Sequence, residues 1–359
     1  MVRFVRYARE TDRIRYDRAM SESKAVIFGS LGPKLSAEEK AFFSGERPWG
    51  FILFLRNIVE RAQIADLVAE MRDCVGRPDA PVLIDQEGGR VQRIRPPLVP
   101  VDYPSGSALG AIYRDNEERG LWAAWVLGRL HAFDLAPLGI NVDCLPLLDI
   151  PVPGAHDIIG ARAYGDEPDI VSAMGTAAAR GLKAGGLLPI IKHIPGHGRA
   201  NADSHLALPV VETPRAELSK TDFVPFKCLN HEVMAMTAHI IYSDIDPDQC
   251  ATTSPKMISE IIRGEIGFDG LLMSDDASMK ALSGDFADRT RSIISAGCDV
   301  TLHCNGDMEE MRAIASASPI LEGEAKRRAD RVTASIETPD NSDEAALREE
   351  FARLLAATA

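Results

Sequence analysis

Eight short apolar segments recur along the chain, and longer amphipathic segments separate them. Alternation of strand-length and helix-length segments predicts parallel strands joined by helical crossovers. The first segments are continuously apolar, as expected of strands that are covered on both faces. The pattern therefore favours an α/β fold, a single-domain (β/α)8 TIM barrel. The eight segments are AVIFGS from Ala25, GFILFL from Gly50, PVLID from Pro81, INVDCLPLLDI from Ile140, LPIIKH from Leu188, VMAMTAHI from Val233, GLLMSDD from Gly270 and CDVTLHC from Cys298.

An open doubly wound sheet would give a similar pattern, but its first strand usually leads into a glycine-rich phosphate-binding turn. Here the chain reads GSLGPKLSAEEK after the first strand, which lacks that motif. We expect a basic N-terminal extension over residues 1–23 and the catalytic barrel over 24–318. The charged, alanine-rich segment 319–359 predicts C-terminal helices that pack on the barrel.

The composition narrows the class of partner. Of 359 residues, 53 are acidic and 40 are basic, which gives a net charge of −13 and no field that favours nucleic acid or an anionic membrane. No segment approaches the roughly 20 apolar residues that span a bilayer. The six cysteines form no CxxC pair, which indicates a reducing compartment. We therefore expect a cytoplasmic protein, a monomer or weak dimer, that acts on a small neutral substrate and uses no cofactor and no metal.

Polar residues concentrate at the ends of five successive predicted strands. In a barrel the C-terminal strand ends form one face, where active sites are built. Any one of these residues could be polar only because a loop begins there, but five successive strand ends favour a functional site. The residues are Asp85 and Glu87 after strand three, Asp149 after strand four, Lys192 and His193 at strand five, His239 in strand six, and Asp275 and Asp276 after strand seven.

The loop after strand five, KHIPGHGRANADSHLALPVVETP, is long and rich in titratable groups. Asp203 and His205 are two residues apart, so their side chains project to one side in an extended conformation. A carboxylate beside an imidazole can fix its tautomer and provide a general acid or base near neutral pH. The alternative is a loop histidine held by a local hydrogen bond.

Strand seven ends in two consecutive acids, Asp275 and Asp276. Burial of both would be costly unless they face a polar site, where one could serve as a carboxylate nucleophile at an anomeric carbon. Because side chains alternate along an extended strand, only one of the two is expected to face the centre. The other would cap a helix or accept a supporting hydrogen bond.

The segments IDQEGGRVQR, KHIPGHG, DSH and MSDDASM, in this order, resemble the signature motifs of glycoside hydrolase family 3. The resemblance is strongest to its single-domain β-N-acetylglucosaminidases of bacterial cell-wall recycling, and it covers about Lys24 to Asn305. It implies a two-step retaining hydrolysis through a covalent glycosyl-enzyme. In this resemblance Asp275 is the nucleophile, and His205 with Asp203 is the acid/base dyad. The residues that would bind the terminal sugar are Asp85, Arg93, Arg162, Lys192 and His193.

Four alternatives remain open at this point. A glycoside phosphorylase would use the same site with phosphate in place of water, and a β-glucosidase would belong to the same family. A non-catalytic sugar-binding barrel would need no acid at the leaving-group side. Finally, His193, His197, Asp203 and His205 could be zinc ligands, although Pro195 and Gly196 break the helical spacing that places paired histidines on one face.

Overall fold

The computed structural model describes residues 22–200 and 208–356. The strands are β1 (Lys24–Gly29), β2 (Pro48–Leu53), β3 (Val82–Ile84), β4 (Gln86–Gly88), β5 (Val91–Gln92), β6 (Val142–Asp143), β7 (Leu188–Pro189), β8 (Ile191–Ile194), β9 (Val210–Val211), β10 (Met234–Thr237), β11 (Ile241–Tyr242), β12 (Asp246–Cys250), β13 (Leu271–Asp276) and β14 (Val300–His303).

The α-helices are α1 (Ala37–Glu46), α2 (Arg61–Val75), α3 (Gly106–Asp115), α4 (Glu117–Leu135), α5 (Pro168–Ala184), α6 (Arg215–Leu218), α7 (Phe223–Cys228), α8 (Phe286–Ala296), α9 (Met308–Ala317), α10 (Gly323–Ala334) and α11 (Glu344–Ala356). Three 3₁₀ turns cover Leu55–Asn57, Ala136–Leu138 and Gly160–Arg162, and a π-helix covers Met257–Glu265. Within the described residues no helix is both long and apolar enough to cross a bilayer.

The main sheet is a closed parallel barrel, which confirms the predicted fold. Its strand order is β7-β6-β3-β2-β1-β14-β13-β10-β8. β7 and β8 are two parts of one strand, separated only by Ile190, so the sheet closes where β7 pairs with β6 and β8 pairs with β10. Each of the eight predicted apolar segments contributes one position in this ring.

Two hydrophobic clusters stabilise the barrel. The larger one lies between the strands and the surrounding helices. The smaller one fills the barrel interior with inward-facing side chains such as Ile27, Leu83 and Met273, as is typical of this fold. Leu321, Ala329 and Val332, from α10 and the segment before it, join the interior cluster, so α10 covers the N-terminal end of the barrel.

Local sequence signals explain how the helices begin. Ser36 caps α1 by accepting a hydrogen bond from the Glu39 amide, and the Glu39 carboxylate accepts the Ser36 amide in return. This capping box satisfies amides that have no partner inside the helix. Asp285 caps α8 in a similar way by accepting the Asp288 amide. Both helices therefore start at fixed residues directly beside the barrel.

The C-terminal helix α11 packs against α4 on the outside of the barrel. Arg348 donates to the buried Asp134 carboxylate at 2.6 Å, and Phe351 packs near the ring of Tyr103. The exposed Trp122 donates to Glu350 at 2.8 Å. These contacts connect the last described helix to the layer that surrounds strands β3 and β6.

Candidate active site

A cavity of about 320 Å³ opens at the C-terminal ends of the barrel strands. Among the other clefts of the described surface, those of about 760 and 700 Å³ are much larger, but neither is lined by residues from these strand ends. Six of the eight residues predicted to bind or react with the sugar line the 320 Å³ cavity, namely Asp85, Arg93, Arg162, Lys192, His193 and Asp275. The other two, Asp203 and His205, lie outside the described residues.

Asp85, directly after β3, lies between two cations. It accepts from Arg93 Nη2 at 2.8 Å and from Lys192 Nζ at 3.0 Å. Burial alone would raise the pKa of Asp85, but the Lys192 ammonium and the Arg93 guanidinium lower it far below its ordinary value. The carboxylate is therefore ionised at all working pH values and acts as a hydrogen-bond acceptor.

Glu87 in β4 completes this cluster; the sequence predicted it only as a polar residue at a strand end, with no contact to the sugar. Its carboxylate accepts from both Nε and Nη2 of Arg162, at 2.9 and 2.7 Å, and lies 2.6 Å from Lys192 Nζ. Burial would raise the pKa of Glu87, but Arg162 and Lys192 bring it down to about 2. Glu87 and Asp85 are two residues apart, and this spacing places their side chains on the same side of an extended segment.

Lys192 in β8 is only 1% exposed and bridges the two carboxylates. Burial would lower the pKa of its ammonium, but Asp85 and Glu87 raise it above the ordinary value. Paired and hydrogen-bonded charges of this kind avoid most of the desolvation cost of an isolated buried ion. Lys192 is thus a permanently charged donor in the cavity wall.

His193 is fixed by Asp149, the acid that follows β6. The ring nitrogen Nδ1 donates to Asp149 Oδ2 at 2.7 Å, and Asp149 Oδ1 accepts the amides of His193 and His197 at 3.1 and 2.7 Å. Burial would raise the pKa of Asp149, but His193 lowers it to about 2. Because Nδ1 is taken by the carboxylate, Nε2 is the ring nitrogen of His193 that remains for a ligand.

The two acids of β13 have different surroundings. Asp276 accepts from the Ser278 amide and hydroxyl at 3.0 and 2.6 Å and from the Cys304 amide at 3.2 Å. Asp275 Oδ1 accepts the Asp276 amide at 2.8 Å. Both residues line the cavity, because the strand register shifts between Met273 and Asp276 and interrupts the simple alternation expected from the sequence. The Asp276 carboxylate supports the backbone of the strand end.

His239, after β10, supports the same strand end from the other side. It is fully buried and donates from Nε2 to the carbonyl oxygen of Asp276 at 3.1 Å. The hydroxyl of Thr252 contacts Nδ1 at 2.7 Å. Burial lowers the pKa of His239 and so favours the neutral ring, which fixes the Asp276 backbone through one hydrogen bond.

The zinc alternative needs four residues to converge. The rings of His193 and His197 have centroids 5.5 Å apart, and His193 uses Nδ1 to bind Asp149. Asp203 and His205 lie outside the described residues. Within residues 22–200 and 208–356, no group of three His, Cys, Asp or Glu side chains is arranged to hold a metal ion. Metal analysis of the purified protein separates this alternative from a hydrolase that needs no metal.

Carboxylates and cations gathered at the strand ends of a closed (β/α)8 barrel define a barrel enzyme with a site for a small, hydroxyl-rich ligand. Comparison with known proteins identifies the family. The chain belongs to glycosyl hydrolase family 3, because residues 20–335 match the N-terminal domain of that family.

Individual relatives agree with this assignment. A protein from Methylococcus capsulatus named Beta-hexosaminidase is 38% identical over 283 residues, which cover 78% of this chain and 82% of that protein. The crystal structure of NagZ from Neisseria gonorrhoeae in complex with N-trifluoroacetyl-D-glucosamine has a TM-score of 0.81 and 29% identity, over 94% of this chain and 97% of that one. A family 3 β-N-acetylglucosaminidase from Paenibacillus has a TM-score of 0.79 and 30% identity, over 93% and 66%.

Proposed function

We propose that this chain is a retaining β-N-acetylglucosaminidase that removes N-acetylglucosamine from the non-reducing end of peptidoglycan fragments. The observation that carries the proposal is that Asp275 lines the same cavity as the charged cluster of Asp85, Arg93 and Lys192. A carboxylate for the anomeric carbon and a set of groups for the sugar hydroxyls thus meet in one cavity. The relatives named above, a β-hexosaminidase and a β-N-acetylglucosaminidase, support the choice of sugar.

In the first chemical step Asp275 attacks the anomeric carbon and forms an ester to the sugar, while the bond to the leaving oxygen breaks. His205, assisted by Asp203, gives its proton to that oxygen. In the second step the imidazole removes a proton from water, which attacks the anomeric carbon and releases Asp275. The two inversions retain the β configuration. Asp203 and His205 enter this scheme from the sequence alone.

The paired charges suit a neutral sugar. A hydroxyl group can donate to a carboxylate and accept from a cation, so Asp85 together with Arg93 or Lys192 can bind one hydroxyl in both directions. His193 Nε2 adds a further polar contact. Arg162 is held by both oxygens of Glu87 and contributes a fixed donor to the cavity wall. The sugar is oriented by these contacts before Asp275 reacts.

The natural substrate we propose is N-acetylglucosaminyl-anhydro-N-acetylmuramic acid, with or without attached peptide, in the cytoplasm. The choice of substrate rests on the motif resemblance to enzymes of bacterial cell-wall recycling. The cytoplasmic location rests on the acidic composition and on six cysteines that form no CxxC pair.

The central test compares hydrolysis of an aryl N-acetyl-β-glucosaminide and an aryl β-glucoside by wild type, Asp275→Ala and Asp285→Ala. Asp285 provides a matched control, because it is a carboxylate on the same βα connection that only caps α8. We expect wild type to prefer the glucosaminide, and Asp275→Ala to lose about 10³-fold or more in kcat. Asp285→Ala should stay within about twofold of wild type. A preference for the glucoside, or full activity of Asp275→Ala, contradicts the proposal.

The same assay separates the remaining alternatives. A phosphorylase turns over faster when phosphate is added and releases a sugar phosphate, whereas a hydrolase releases the free sugar at an unchanged rate. A sugar-binding barrel binds N-acetylglucosamine but is inactive on every aryl hexosaminide.

The stereochemistry of hydrolysis needs a separate measurement. The anomer that forms first, observed by NMR, reports it, and a β product is expected from a retaining enzyme.

A further inference from the structure

A buried histidine–aspartate pair lies behind the cavity. His131 in α4 and Asp143 in β6 are both fully buried, and His131 Nδ1 lies 3.0 Å from Asp143 Oδ2. The second oxygen, Asp143 Oδ1, accepts the backbone amide of Gln86 at 3.0 Å. The pair therefore connects a helix outside the barrel to the backbone of the segment that carries Asp85 and Glu87.

The Gln86 side chain also connects this pair to Arg93, another residue of the cavity. Its side-chain oxygen accepts the amides of Arg93 and Ile94 at 3.0 and 3.1 Å, and its side-chain nitrogen donates to the Ile94 carbonyl at 2.9 Å. One residue thus fixes both branches of the β4–β5 hairpin, with Asp85 before it and Arg93 at the far end. Any displacement of the Gln86 backbone moves both partners of the Asp85–Arg93 ion pair.

The surroundings of His131 define which of its ring nitrogens carries the proton that faces Asp143. Its ring packs edge-on against Tyr103 with centroids 4.6 Å apart, and Nε2 has no hydrogen-bond partner among the described residues. A proton on Nε2 would be a buried donor without a partner, so the proton belongs on Nδ1, facing Asp143. Burial raises the pKa of Asp143, and the hydrogen bond from His131 opposes that increase. The Nδ1–H group thus donates to the carboxylate and fixes its orientation.

We propose that His131 and Asp143 are positioning residues for sugar binding, which act through the Gln86 backbone on Asp85 and Arg93. The inference rests on the proposed function, because it assumes that these two residues contact the sugar. It predicts that loss of the Nδ1–H donor weakens sugar binding more than it lowers kcat, because Asp275 lies on a different strand.

The test compares His131→Asn with His131→Leu, because an asparagine amide can take the place of Nδ1–H and leucine of similar size cannot. Each variant is measured for its Tm, for binding of N-acetylglucosamine by calorimetry, and for kcat and KM on the aryl glucosaminide. We expect His131→Leu to raise Kd and KM about tenfold with a smaller change in kcat, and His131→Asn to stay within about threefold of wild type.

Asp299→Asn provides the matched control. Asp299 is also buried and accepts a backbone amide, that of Leu272 at 2.8 Å, but it does so at the opposite end of the barrel. This variant should lower the Tm and leave Kd and KM unchanged. If His131→Leu does not fold, His131→Ala replaces it, because alanine also lacks the donor and adds no branched side chain to the packed interior.

Three outcomes overturn the inference. The first is a wild-type Kd in a folded His131→Leu or His131→Ala, and the second is an equal loss of binding in His131→Asn and His131→Leu. The third is that the His131→Asn variant folds and neither His131→Leu nor His131→Ala does. In that case the hydrogen bond between His131 and Asp143 would be needed for folding alone. A wild type that binds no N-acetylglucosamine overturns the proposed function as well, so the two failures are distinguishable.

Discussion

Arg162, which lines the cavity, forms a two-point ion pair with Glu87, with Nε and Nη2 of the guanidinium 2.9 and 2.7 Å from the two carboxylate oxygens. This geometry fixes the plane of the guanidinium as well as its distance from the Glu87 carboxylate. Arg162 ends a 3₁₀ turn and Glu87 lies in β4, so the pair also connects this turn to a strand.

Glu87→Gln tests whether this pair shapes the sugar site. The amide keeps the shape of the side chain but leaves Arg162 and Lys192 with one carboxylate fewer. We expect the free energy of unfolding to fall by about 3 kcal/mol and KM for the aryl glucosaminide to rise about tenfold. The control is Glu232→Gln, which breaks a buried pair with Lys183 away from the cavity and should lower stability only. An unchanged KM in Glu87→Gln would show that the pair is purely structural.

Stability in acid should depend on Glu87. Its pKa in the folded protein is about 2, below the ordinary value of 4.5, so the folded state binds fewer protons than the unfolded state. The stabilisation is present above about pH 4.5 and is lost as the pH falls toward 2. Urea unfolding between pH 6 and 3 should show a shallower decline for Glu87→Gln, by up to roughly 3 kcal/mol over the full titration. Parallel curves for the two proteins would contradict the assigned pKa.

The predicted acid/base dyad has a kinetic signature. If His205 gives the proton, the rate falls as the pH rises through its pKa, and His205→Ala removes that alkaline limb. We expect His205→Ala and Asp203→Ala to lose about 10²- to 10⁴-fold in kcat, with a smaller loss for a good leaving group that needs no proton. His231→Ala changes an exposed histidine before β10 and should leave the profile intact. Unchanged rates and profiles in both dyad variants remove the dyad from the mechanism.

Attachment of the C-terminal helix should stabilise the barrel without affecting catalysis. Arg348 binds the buried Asp134 carboxylate and also donates to the Tyr103 hydroxyl at 3.1 Å. Arg348→Met leaves Asp134 buried without this cation, and we expect a loss of about 3 kcal/mol. Arg353→Met removes an exposed contact with Glu349 on the same helix and should cost less than about 0.5 kcal/mol. Thermal unfolding measures both, and equal Tm values would refute the role of Arg348.

The barrel could be predicted from the sequence because short apolar segments of strand length alternate with amphipathic segments of helix length. The convergence of Asp85, Lys192 and Asp275 followed from the same reasoning, since parallel strands end on one face. The choice of ion-pair partners could not be predicted, because it depends on distances between strands. Glu87 was visible as a polar strand end, and its spacing of two from Asp85 was the signal that could have placed it beside the cations of the cavity.

The ends of the strands were harder to predict than their cores. Simple alternation placed only one acid of β13 toward the centre, but the register shift before Asp276 lets both line the cavity. His131 carried no sequence signal at all, because a single histidine in an amphipathic helix is usually an ordinary core or surface residue. Its partner Asp143 lies on another element, and only the folded chain brings them together. The division of the chain at residues 23 and 318 stays a prediction.

The helix α10, which covers the N-terminal end of the barrel, determines from which side ligands can reach the cavity. Because α10 and the interior side chains fill the axis, the cavity is a dead end with a floor formed by Ile52, Met236 and Leu302. In the part of the chain that the structure describes, the N-terminal end of the barrel is filled, so the proposed substrate and products would enter and leave on the C-terminal side. A polymer therefore cannot thread along the barrel axis, and each cycle must empty the cavity before the next sugar enters.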